Sequence, residues 1–170
     1  MNNKLKEVVI ISAIRTPIGI YKGSLKNLKS DQLGSMVIKE VLKKSKFTGD
    51  EIDEVIMGQV LTAGTGQNPA RQAAVNAGIP ISKPAHIVNQ VCGSGLRAVI
   101  SGYQSIKLGE SNNVISGGQE SMSLAPHSIF YRDEKKLSED KLLDTMVNDG
   151  LIDAFNNYHM GVTAENVAEM

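Results

Sequence analysis

The sequence predicts an α/β protein built on a mainly parallel sheet covered by helices. Three observations carry that expectation. Apolar, β-branched runs recur through the first 118 residues. Each is followed by a segment with helical periodicity, and Gly, Pro and Asn mark the joints between them. At 170 residues the chain has about the size of one ordinary domain, enough to bury a core.

The elements follow in order. "EVVIISAI" (7–14) is a continuous apolar run of the kind found in a strand buried on both faces. The Gly- and Pro-punctuated loop "RTPIGIYKGSLKN" comes next. "SDQLGSMVIKEVLKKS" (30–45) has helical spacing at Leu33, Met36, Val37, Val41 and Leu42. Ser30 or Asp31 can cap it, and lysines occupy its last turn. "IDEVIMGQVL" (52–61) is a second strand. In "GTGQNPARQAAVNAG", Asn68 suits an N-cap, Pro69 a first helical position and Gly78 a helix end. "AHIVNQV" (85–91) is a third strand, and "GSGLRAVISGYQSIKLG" a helix whose Leu96, Val99, Ile100 and Tyr103 form one apolar face, expected to be buried. "NNVISGG" (112–118) closes the alternation as a fourth strand.

After Gly118 the pattern breaks. Residues 119–160 hold "SMSLAPHS", the charged run "RDEKKLSEDK" and "LLDTMVNDGLIDAF", with no clear strand and a helix expected around 139–149. So long an irregular stretch in a compact domain points to a functional excursion from the sheet. No internal repeat or low-complexity tract appears.

Composition excludes several classes. Lys plus Arg and Asp plus Glu each number 18, so no net field draws the chain to nucleic acid or anionic lipid. A single cysteine rules out an internal disulfide, and three histidines beside it argue against a Cys/His metal cluster. "KLKEVVIISAI" lacks the cleavage site of a secretory signal, and no run reaches membrane-spanning length. A soluble cytoplasmic protein is expected.

The single cysteine is the focus of the chemistry. An isolated cysteine is most often a buried small hydrophobe. Cys92 stands elsewhere, after an apolar strand and at the opening of a helix. There the helix dipole and unpaired amides stabilise negative charge on sulfur. The same amides suit an oxyanion formed when sulfur attacks a carbonyl. Gly93 and Gly95 let substrate or backbone approach. A thiolate nucleophile also needs an acid and a base. His86 lies on the strand before Cys92, about six residues and roughly 20 Å distant. His127 sits in the loop "LAPHS", where an ordinary surface role is expected. His159, in "YHMGVTAENVAE" just before a helix start, is the one credible active-site histidine.

"VNQVCGSGLRAVISGYQSI" (88–106) resembles the nucleophile signature of the thiolase family. "RTPIG" (15–19), "GQNPARQAA" (66–74), "GGQESMS" (117–123) and "HMGVTAEN" (159–166) resemble further blocks of that family, in its order. "HMGVTAEN" is most similar to the biosynthetic, acetoacetyl-CoA-forming branch. The resemblance implies the thiolase fold, with residues 1–118 as its N-terminal βαβαβαβ core and 119–170 as the beginning of a loop domain that covers coenzyme A. It implies that Cys92 takes an acyl group as a thioester and that its amide contributes to an oxyanion hole. His159 and Met160 would border the pantetheine arm and acyl pocket, and Leu151 would line the coenzyme A side. Acyl-CoA would be the substrate, no metal or organic cofactor would be required, and the complete protein would be a homodimer or homotetramer.

Thiolases are about twice this long. Their second half carries an asparagine block, a Gly-His-Pro block and a second cysteine, and this sequence has no Gly-His-Pro and no second cysteine. The chain is therefore expected to be the N-terminal portion of a thiolase, inactive by itself. Thr163 is expected to cap a last helix of about two turns. A degradative 3-ketoacyl-CoA thiolase and a non-catalytic coenzyme A-binding or dimerising remnant stay open as alternatives. A ketosynthase is a more distant one, because its cysteine has different neighbours.

Overall fold

Three parallel strands in the order β2-β1-β3 form the centre of the computed structural model, which describes residues 7–131 and 142–170. They are β1 (Glu54–Gly58), β2 (Ala85–Val88) and β3 (Val114–Gly118). β1 pairs in register with both neighbours, Val55 with Ala85 on one side and Ile115 on the other. Helices α1 (Ser30–Ser45), α2 (Pro69–Asn76) and α3 (Ser94–Leu108) pack against this sheet.

The two faces of β1 are built differently. Val55 and Met57 share a face by the period-two alternation of a strand, and both are buried in a cluster with Ile38 and Leu42 of α1 and Ala70, Ala73 and Ala74 of α2. The alanines bring α2 close, and Gly34 brings α1 close. A Cβ at Gly34 would lie 3.1 Å from that of Ala73 and against the Gln119 amide oxygen. The opposite face receives α3 through small residues. Ser94, Ala98, Gly102 and Ser105 are its buried positions. A Cβ on Gly58 would lie 2.5 Å from the Gly95 nitrogen and 2.6 Å from the Ser94 carbonyl oxygen.

Local signals hold in the helices. Asn68 caps α2, its side-chain oxygen accepting from the Arg71 amide at 3.1 Å, with Pro69 at the first position. Gly78, at φ +96°, turns the chain out of that helix. The expected cap of α1 is corrected. Its N-cap is Lys29, whose amide donates to the Gln32 side chain at 2.9 Å, while Ser30 and Asp31 are buried inside the helix. Its buried residues also include Gly34, Ser35, Ile38 and Leu42, whereas Met36 is exposed.

Two larger expectations are overturned. Residues 7–14 form no strand, and Val9, Ile10 and Ile11 are 67%, 80% and 61% exposed. A β-branched run favours extended backbone, but a strand also needs a ladder partner, and no described strand lies beside it. Along α3, Leu96, Val99, Ile100 and Tyr103 are exposed instead of buried. The sheet lies too near for large side chains, so the small residues take the inner face and the apolar ones project outward.

Beyond Gly118 the chain makes a short 3₁₀ turn (Met122–Leu124) and an antiparallel pair, β4 (His127–Ser128) with β5 (Leu143–Asp144). The charged run falls outside the described residues. The helix expected around 139–149 is α4 (Thr145–Gly150), capped by the Asp144 carboxylate; positions 139–141 also fall outside them. α5 (Met160–Ala168) follows. Among the described residues no helix is long and apolar enough to cross a membrane.

The glycine contact gives a direct test. Gly58→Ala forces its methyl into backbone that cannot move without shifting α3, and should lower stability by about 1–3 kcal/mol. Gly117→Ala, whose Cβ would meet only the flexible end of Met57 at 3.9 Å, should change it by less than about 1 kcal/mol. Chemical denaturation of the two variants provides the comparison.

Candidate active site

Cys92 stands at the carboxyl ends of the parallel strands, where the connections of an open α/β sheet leave a crevice. β2 ends at Val88, and the chain reaches Ser94, the first residue of α3, through a tight turn. Cys92 is exposed within this turn and is not the last residue of the strand. The Asn89 side chain accepts from the Val91 amide at 2.9 Å. Ser94 Oγ accepts from the Gln90 amide at 2.9 Å and donates to the Val91 carbonyl at 2.6 Å. The Gly93 and Ser94 amides close back onto the Gln90 and Val91 carbonyls at 3.0 Å each.

Val91 has φ +48°, the left-handed region, where a β-branched residue is strained. Such strain persists only where neighbours over-determine it, and the five bonds above do so. The result is a sharp corner that lifts Cys92 out of the backbone line at the amino end of α3.

Cys92 opens onto a cleft of about 460 Å³. Gly58, Val60 and Leu61 form one wall, and Gly118, Glu120 and Met122 another. Leu151 and Met160 come from the segment after the sheet. The surface is largely apolar, and Cys92 and Glu120 are its titratable groups among the described residues. A buried amide pair underlies it. Gln119 Nε2 donates to Gln59 Oε1 at 2.9 Å, and Gln59 Nε2 to the Leu61 carbonyl at 2.8 Å. The Glu120 carboxylate accepts from the Val60 and Leu61 amides at 2.8 and 3.2 Å. Burial pushes its carboxyl pKa up, against the lowering effect of these amides and that of Ser121.

Three of the four residues singled out in the sequence thus meet on one cleft: Cys92, Leu151 and Met160. His159 is exposed and is not among the lining residues. Its Nδ1 accepts from the Gly161 amide at 3.0 Å, so it caps α5, and Thr163, the expected cap, lies inside that helix. His86 pairs with Glu54 at 3.3 Å and His127 faces Asp144 at 4.0 Å. No group of three or more His, Cys, Asp or Glu among the described residues could hold a metal. Sequence reading missed Glu120, Gln59 and Asn89. A carboxylate two residues beyond a strand ending in Gly-Gly, on the crevice side of the sheet, was the available signal for the first.

Residues 8–170 match the family model described as "Thiolase, N-terminal domain". The chain belongs to the thiolase family. It is 52% identical over 164 residues to the acetyl-CoA acetyltransferase of Paracoccus denitrificans, a match covering 96% of this chain and 42% of that protein. To the cytosolic acetyl-CoA acetyltransferase of Rattus norvegicus it is 54% identical, covering 99% of this chain and 43% of the relative. A thiolase of Ascaris suum, solved in complex with coenzyme A, superposes with a TM-score of 0.90 at 38% identity, over 96% of this chain and 43% of that one. The chain therefore spans less than half the length of these relatives. Its α/β architecture is the thiolase fold, and the expectation from the five sequence blocks holds.

The cap at α5 separates two roles for His159. His159→Ala should fray α5 and lower stability by roughly 0.5–2 kcal/mol, whereas His159→Asn, a good capping residue, should retain most of it. Thermal unfolding followed by helix-sensitive circular dichroism reads the difference.

Proposed function

We propose that this chain carries the nucleophile of an acyltransferase that condenses two acetyl-CoA molecules reversibly into acetoacetyl-CoA and coenzyme A. The observation that carries the reading is the placement of Cys92. It sits on a strained corner at the amino end of α3, open to an apolar cleft at the carboxyl edge of the sheet, in a chain of the thiolase family. The acetyl-CoA acetyltransferase relatives at just over 50% identity support the acetyl group as the unit transferred.

The chemistry divides into two steps. Cys92 Sγ attacks the thioester carbonyl of one acetyl-CoA, the carbonyl becomes an oxyanion near the start of α3, and coenzyme A leaves as its thiol. A second acetyl-CoA then loses an α proton, and its carbanion attacks the Cys92 thioester. A carbon–carbon bond forms, the sulfur–carbon bond breaks, and acetoacetyl-CoA departs. Each step needs proton transfer, which typically contributes about 10² to 10⁴-fold. The family resemblance assigns that work to a histidine and a second cysteine beyond the residues present here.

Leu151 and Met160, on the cleft, suit the coenzyme A and acyl side. His159, joined to Met160 at the start of α5, is proposed to border the pantetheine arm. The complex of the Ascaris thiolase with coenzyme A supports binding of the same group here. We read residues 1–118 as the α/β core and 119–170 as the start of the covering loop domain, with no cofactor beyond the substrate. A homodimer or dimer of dimers follows from the same resemblance, and a cytoplasmic setting from that and the name of the rat relative.

Incubating the product of the natural gene with acetyl-CoA should place one acetyl group on Cys92, located by peptide mass spectrometry. Label elsewhere, or none on folded protein, overturns the reading. Cys92→Ser should lower turnover at least about 10³-fold without loss of fold, since the two side chains have similar volumes.

A further inference from the structure

We propose that Glu120 is a positioning residue for the chemistry at Cys92, acting by fixing the Val60–Leu61 wall of the cleft. This rests on the acyltransferase reading above and names how one wall of that site is held.

Three observations carry it. First, the wall has left the sheet. β1 ends at Gly58, and its last ladder bonds are that of the Gln59 amide, which donates to the Val88 carbonyl at 3.1 Å, and that of the Gly58 carbonyl, which accepts from the Gln119 amide at 3.0 Å. The next two amides, of Val60 and Leu61, point to the Glu120 carboxylate, one to each oxygen. Second, the wall is held from its other sides as well. Gln59 Nε2 donates to the Leu61 carbonyl at 2.8 Å, and Gly150 lies so near that a Cβ on it would stand 3.3 Å from Leu61 Cδ2 and 3.9 Å from Val60 Cγ1. Wall, carboxylate, Gly150 and Cys92 all border one cleft. Third, the group chosen is a charged one in a partly dehydrated place. Burial works against the ionised carboxyl, as the upward pKa shows. A side chain serving only to fill the space would not carry that penalty. What a carboxylate provides, and a neutral amide of the same shape does not, is acceptance at both oxygens. Glutamine would turn an N–H toward one of the two backbone amides.

The consequence concerns a bound acyl-CoA more than the thiol itself. A thioester at Cys92 must lie between the sulfur and the opposite wall, and small misplacement of reacting atoms is costly in rate. A small reagent that meets the exposed sulfur from solvent needs no such wall.

The test compares Glu120→Gln with the wild type, each as the natural gene product, on four readouts. For the variant, acetylation of Cys92 by acetyl-CoA in a single turnover should slow at least tenfold. Alkylation of Cys92 by iodoacetamide should change less than threefold. Hydrogen exchange in the Val60–Leu61 peptide should speed up at least tenfold, and the thermal midpoint should stay within a few degrees. Acetylation at the wild-type rate overturns the proposal while leaving the acyltransferase reading intact. So does a parallel fall in acetylation, alkylation and thermal midpoint, which marks a merely structural carboxylate. A wild-type protein that iodoacetamide alkylates but acetyl-CoA does not acetylate removes the underlying reading, and this role with it.

Discussion

Everything near Cys92 depends on how closely the start of α3 can approach β1. At Gly58 the strand has no side chain on the helix side, and the Ser94–Gly95 backbone occupies the space a methyl group would need. Gly118, the neighbour of Gly58 in β3, brings its Cα within 4.0 Å of where a Cβ on Gly95 would stand. Direct contact of backbone with backbone fixes the helix start more tightly than side-chain packing would, because side chains change rotamer and backbone does not. The turn from Asn89 to Gly93 hangs from that fixed start, and Cys92 inherits its position.

The polar groups around the cleft are arranged on the same principle. Strands that stop short leave amides and carbonyls without ladder partners, and buried ones must find others. Here Gln59, Glu120, Asn89 and Ser94 supply them, and Gln119 holds the Gln59 side chain. The Ser94 hydroxyl and the Asn89 amide serve the turn, while the two glutamines and Glu120 serve the loop after β1. Nearly all of these bonds join a side chain to backbone, so they hold the course of the chain and not merely the side chains. A corner as strained as Val91 can persist on such support.

What was legible in the sequence was mostly local. The helix at Ser30–Ser45, the Asn68 cap and the strand centred on Val55–Met57 follow from periodicity and from capping chemistry, which act within a few residues. Cys92 was legible because strand, small residues and helix lie consecutively along the chain. Leu151 and Met160 came from family resemblance alone, as nothing in their local pattern says that the fold brings them to a cleft. The inner face of α3 was misread because hydrophobicity predicts burial only where there is room, and the room depends on Gly58 and Gly102 contacts with distant residues. Residues 7–14 were misread for a related reason. Their extended preference is local, but a strand is a property of two segments.

The meeting of Gly95 and Gly118 bears on how this site can change by mutation. Each position alone has space for a methyl group at ordinary van der Waals distance, 4.0 Å from the nearest atom at Gly95 and 3.5 Å at Gly118. Each methyl group would meet the Cα of the other glycine. Alanine at both positions is therefore expected to depart from the sum of the two single changes, although the two residues are far apart in sequence and belong to a helix and a strand. A change at one of these glycines would then alter what the other position tolerates.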